Sequence, residues 1–130
     1  MKLNNDLIRD ILLTVEEFTS YDKPLSLYKP YEVEENNQPF IKNYSKEELF
    51  YHLKQCELSG LIEVMLDTGE YTTISYLTPE GHLFLENIRS DTVWNKTKTI
   101  AQKLGLKSLD AIIQISSNVI TQIIKQELGY

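Results

Sequence analysis

The chain has 130 residues, 42% hydrophobic and 25% charged, ordinary values for one globular domain with a core of its own. A lone cysteine, Cys56, excludes an internal disulfide framework. The N-terminal MKLNNDLIRDILL carries charges that a signal peptide lacks, and no apolar run approaches the ~20 residues that span a bilayer, so a cytoplasmic location without membrane contact is expected. Net charge is −6, made up of −3 over residues 1–44, −4 over 45–77 and +1 over 78–130, an acidic centre that counts against strong phosphate binding.

The first predicted element is a helix. Asn4 or Asn5 can cap it, Asp6 suits its positive end, and Leu7, Ile8, Ile11, Leu12, Val15 and Phe18 recur at helical spacing. Pro24, Pro30 and Pro39 then exclude helix from most of residues 20–44. Leu25, Leu27, Tyr31 and Val33 alternate as one short edge strand, and Glu34-Glu35-Asn36-Asn37-Gln38 reads as an exposed loop.

The centre is clearer. Ser45-Lys46-Glu47-Glu48 is a capping box, opening a helix that should bury Leu49, Leu53 and Cys56, with Leu58 near its end and Gly60 as its stop. Leu61–Leu66 and Tyr71–Leu77 read as strands around the turn Asp67-Thr68-Gly69-Glu70. Thr78-Pro79-Glu80 opens a further helix with Leu83, Phe84 and Ile88 as its apolar stripe. Asp91 is expected to cap the next, through Val93, Trp94, Ile100 and Leu104 to Gly105. Ser108 should cap the last, which is expected to bury Leu109, Ile112, Ile113, Val119, Ile120, Ile123 and Ile124.

These segments carry a resemblance. SKEELFYHLKQCELSGLI followed by a hairpin resembles the recognition helix and wing of bacterial winged-helix regulators. With DLIRDILL before it and LTPEGHLFLENIRSDTVWNKTK after it, nearly the whole chain resembles a domain-of-unknown-function family found in Firmicutes and their phages. The resemblance implies an α+β fold: a winged helix-turn-helix-like core over residues 1–77 with a small hairpin wing, and a C-terminal helical extension over 78–130, within a single domain.

It also implies that Lys46, Glu47, Glu48, Phe50, Tyr51, Lys54 and Gln55 form the surface a regulator would offer to the major groove. Two aromatics and two acids stand where such proteins usually carry basic or small polar groups, and Asp67 and Glu70 make the wing tip acidic. Lys96, Lys98, Lys103 and Lys107 beside Trp94 are either a phosphate-contacting patch or, more usually for a charge run, a solvated face. His52 and Cys56, one helical turn apart, have the spacing of a metal or nucleophilic pair; with nothing to complete such a site, a core thiol and a partly buried histidine are expected. In the last helix Ile112, Ile115, Val119 and Ile123 are a candidate dimer face, unless two apolar faces pack inside one domain.

No Gly-rich phosphate loop, nucleophile elbow, metal spacing or carboxylate pair is legible, so no enzyme and no cofactor are expected. The expectation is a non-enzymatic binding module: a phage- or mobile-element-associated transcriptional regulator contacting double-stranded DNA. The alternative is a protein–protein adaptor or dimerising module that does not bind DNA directly.

Overall fold

A computed structural model describes residues 1–29 and 38–129. It contains five helices and a small antiparallel sheet, in the order α1 (Asn5–Phe18), β1 (Leu25–Tyr28), α2 (Lys46–Leu58), β2 (Ile62–Asp67), β3 (Tyr71–Leu77), α3 (Pro79–Ile88), α4 (Asp91–Leu104) and α5 (Leu109–Glu127). Tyr31 and Val33 of the expected strand, and Glu34–Asn37 of the expected loop, lie outside the described residues. The chain divides into two compact units, Met1–His82 and Leu83–Tyr130, so the division falls within α3.

In the first unit the strand order is β1-β3-β2, both pairings antiparallel. β1 joins through Leu25↔Ile74 to Tyr28↔Tyr71, a pairing that alternates its side chains and buries Leu25 and Leu27. The β2–β3 hairpin closes over Thr68, whose hydroxyl accepts from the N–H groups of Glu70 and Tyr71. Bulges on either side of Val64 break the alternation of β2, and both Met65 and Leu66 are exposed. α1 packs on α2 and β3. Its stripe of Leu7, Ile8, Ile11, Leu12 and Val15 is buried as its periodicity predicts, while Phe18 comes to the surface.

Before α2, residues 38–44 form hydrogen-bonded turns, with Ile41 N–H donating to the Gln38 carbonyl and Tyr44 N–H to that of Ile41. Ile41 is buried, and Tyr44 Oη donates to Asp10 Oδ2 at 2.8 Å, which pins this turn to α1. Burial, then the bond to Asp10, raises the Tyr44 phenol above its usual range. Burial likewise raises the Asp10 carboxyl, against the opposing effect of the Tyr44 bond.

The caps follow the sequence with two adjustments. Ser45 Oγ accepts from Glu48 N–H, but the Glu48 carboxylate reaches back to the Ser45 hydroxyl rather than to a backbone N–H. Ser90, not Asp91, caps α4, because its hydroxyl is the group that accepts from Val93 N–H. Gly60 and Gly105 adopt φ of +73° and +67°, and the N–H groups of Leu61 and Leu106 bond back to the carbonyls of Cys56 and Ala101, the Schellman pattern that ends α2 and α4.

Three expected core residues, Leu58, Leu83 and Ile124, are outside. Leu58 is 69% exposed, Leu83 is 65% exposed and Ile124 is 50% exposed; Leu58 and Leu83 lie on the side of their helices opposite the buried stripe, and Leu85 takes the buried place expected of Leu83. In the second unit α4 packs on α5. Val93, Trp94, Thr97 and Ala101 are its buried α4 residues, with Ile100 half-buried and Leu104 exposed. Among the described residues no helix is long and apolar enough to cross a membrane.

Candidate functional site

α2 and the hairpin bring most of the singled-out residues of the first unit together. Helical spacing sorts α2 into two sides. Leu49, His52, Leu53 and Cys56 are buried, and Glu47, Tyr51, Lys54 and Leu58, at steps of four, three and four, are exposed. Lys46, Glu48, Phe50 and Gln55 lie between, half-buried. The outward stripe is therefore one acid, one phenol, one ammonium and one leucine. Its ammonium is engaged: Lys54 Nζ donates to Glu57 Oε1 at 2.8 Å, which strengthens its hold on its proton.

A lysine that sequence reasoning passed over completes the groove between α2 and the hairpin. Lys29, just after β1, donates from Nζ to the Thr68 carbonyl at 3.2 Å, lies 3.7 Å from Asp67 Oδ1 and stands 5.3 Å from the Phe50 ring centre. Asp67 also accepts from the Thr72 hydroxyl. The cation thus ties the hairpin turn to α2, and both Phe50 and the turn acid Asp67 are committed within the chain. The remaining cleft, lined by Leu53, Lys54, Glu57, Val64 and these groups, is about 30 Å³, room for a water or two. A wider cleft of about 210 Å³ lies at the end of α1, where Glu16, Tyr21, Tyr76 and His82 meet.

His52 and Cys56 are structural. His52 is fully buried, more so than expected. Its Nδ1–H donates to the Glu48 carbonyl at 2.7 Å, and its Nε2 accepts from Asn4 N–H at 2.8 Å. Both bonds together require the neutral ring with its proton on Nδ1, so no nitrogen is left for a metal. The Cys56 thiol is completely buried, which pushes its pKa up to about 12 and leaves it without nucleophilic character at neutral pH. Among the described residues no group of three His, Cys, Asp or Glu side chains is placed to hold a metal ion.

The lysine set of the second unit does not form one face. Lys96 and Lys103 share an exposed side of α4, Lys98 points roughly 200° away from Lys96 with Nζ 5.4 Å from the Trp94 ring centre, and Lys107 lies beyond the Gly105 stop. The expected dimer face is corrected as well. Ile112, Ile115 and Val119 are buried within the chain itself, and Ile123 is half-buried.

Comparison with known proteins extends over most of the chain. Residues 2–107 match the family described as "Hypothetical protein (DUF2513)". The chain belongs to this family. It is also 36% identical over 129 residues to a Haemophilus influenzae protein described as an uncharacterized protein, covering 95% of this chain and 99% of that one. No solved structure matches.

Proposed function

We propose that the first unit is a winged helix acting as a non-enzymatic protein-binding adaptor, with the outward stripe of α2 and the exposed hairpin residues as its contact surface. The winged-helix reading draws support from the element order α1–β1–turn–α2–β2–β3 and the strand order β1-β3-β2. The Gln38–Tyr44 turns, anchored by Ile41, stand where a middle helix would precede a recognition helix.

One observation carries the adaptor reading over the DNA-contacting regulator. The stripe that would enter a groove is Glu47, Tyr51, Lys54 and Leu58, and its cation is already paired with Glu57. DNA affinity draws on releasing counterions as free cations meet phosphates, and this surface has little to offer. Exposed Tyr51, Leu58, Met65 and Leu66 are instead the aromatic and aliphatic groups from which protein interfaces draw their contact area.

Fluorescence anisotropy of a labelled mixed-sequence duplex tests the choice. No binding is expected with tens of micromolar protein at about 50 mM salt, a condition under which weak phosphate contacts register. A titration with a steep salt dependence that Lys54→Glu abolishes would overturn the adaptor reading. Replacing Tyr51 by a photo-crosslinking phenylalanine analogue, in the cells that make the protein, is expected to give a discrete protein adduct that Leu58→Asp removes.

A further inference from the structure

α5 has a second apolar face. Beside the buried Ile112, Ile115 and Val119, the half-buried Ile113 and Ile120 and the 50% exposed Ile124 follow at steps of seven and four along one side of the helix. No charged residue occurs between Asp110 and Lys125, although the chain carries a net charge of −6.

We propose that this stripe pairs antiparallel with the same stripe of a second copy of the chain. Charge selects the partner. Two copies of an acidic chain repel over most of their surface, whereas residues 78–130 carry a net charge of only +1 and the uncharged length of α5 adds no repulsion between copies. A partner recognised by its charges would find nothing to pair with along it. The two ends then set the direction. Asp110 and Lys125 lie about 22 Å apart along the helix axis and equidistant from its midpoint between Ser117 and Asn118. A two-fold axis through that midpoint sets Asp110 of each copy beside Lys125 of the other, whereas parallel pairing would set Asp110 against Asp110 and Lys125 against Lys125. Both residues also stand on the same side of the stripe, roughly 60° and 120° around the helix from Ile113. In an antiparallel two-fold pair, equivalent sides of the two helices adjoin, so the two charges meet across the seam.

Sedimentation equilibrium of the full chain from about 1 to 100 µM, the range in which a modest interface registers, is expected to give a monomer–dimer equilibrium. Ile120→Asp should abolish the dimer while circular dichroism retains the helical signal. Asp110→Lys and Lys125→Asp should each weaken association about tenfold, because the symmetry counts each reversed pair twice. The double reversal should return the dissociation constant to within about threefold of the original. A strict monomer across the whole range would overturn the proposal, and so would two reversals whose effects add rather than cancel.

Discussion

His52 offers the sharpest test of how the first unit is held together. Its imidazole is buried on α2, and its Nε2 is the acceptor for the backbone N–H of Asn4, the residue that caps α1. Replacing it with alanine removes a buried ring, worth about 3 kcal/mol in lost packing, and strands a part-buried N–H at about 1–2 kcal/mol more. The bond from Nδ1 to the Glu48 carbonyl adds little, because that carbonyl already sits inside a helical turn. His52→Ala should therefore cost about 4 kcal/mol, or about 15 °C in Tm for a chain of this length. His52→Leu refills the volume and leaves only the stranded N–H, at about 2 kcal/mol. His52→Gln, whose amide oxygen can take the place of Nε2, should recover about 1 kcal/mol of that. Urea unfolding followed by far-ultraviolet circular dichroism ranks the three. If His52→Leu matches the original chain, or His52→Gln is no better than His52→Leu, the Asn4 bond contributes nothing and the reasoning fails.

Gly81→Ala, a change that normally stabilises a helix by about 1 kcal/mol, should instead destabilise by about 2–3 kcal/mol, because the Leu61 backbone carbonyl occupies the space of the new methyl; a raised Tm would refute this. Thr97 is fully buried with no hydrogen-bond partner for its hydroxyl among the described residues, so Thr97→Val should be neutral or stabilising by about 1 kcal/mol in thermal unfolding, and a loss would reveal a partner. The Asp10 carboxyl, raised above 3.8 mainly by burial, binds its proton more tightly folded than unfolded. Its contribution to stability is therefore full below the unfolded value and is lost as pH rises through the folded one. Asp10→Asn keeps an acceptor for Tyr44 and should abolish that decline from about pH 3.5 upward; parallel urea-midpoint profiles for the two proteins would sink the assignment. Tyr44→Phe should cost about 1 kcal/mol at neutral pH, since the phenol donates to that carboxylate.

The candidate surface was only partly legible. The capping box, the Gly60 stop and the hairpin turn mark α2 and the hairpin from local chemistry, and the exposed positions of Glu47, Tyr51 and Lys54 follow from the helical repeat. Lys29 escaped notice because nothing near it in the chain announces a partner; only the β1–β3 register brings it to Asp67, Thr68 and Phe50. Leu58 closes α2 and Leu83 lies midway along α3; a single leucine fits either side of a helix, and its direction depends on what its neighbours already cover. Gly81 read as part of a helix start, yet its lack of a side chain is required by a backbone twenty residues earlier.

The sequence by itself located the helices and the hairpin to within a residue or so, because caps, glycine stops and apolar periodicity act over a few residues and need no tertiary partner. Tertiary structure alone decided what those elements present. It committed Lys29 to the hairpin, it closed His52 against Asn4, and it turned Ile112, Ile115 and Val119 inward while leaving Ile113, Ile120 and Ile124 toward the surface. The physical reason is common to all of these. Burial and ion pairing depend on which groups arrive from distant parts of the chain, and a helical repeat fixes the angle between side chains without saying which angle faces the core.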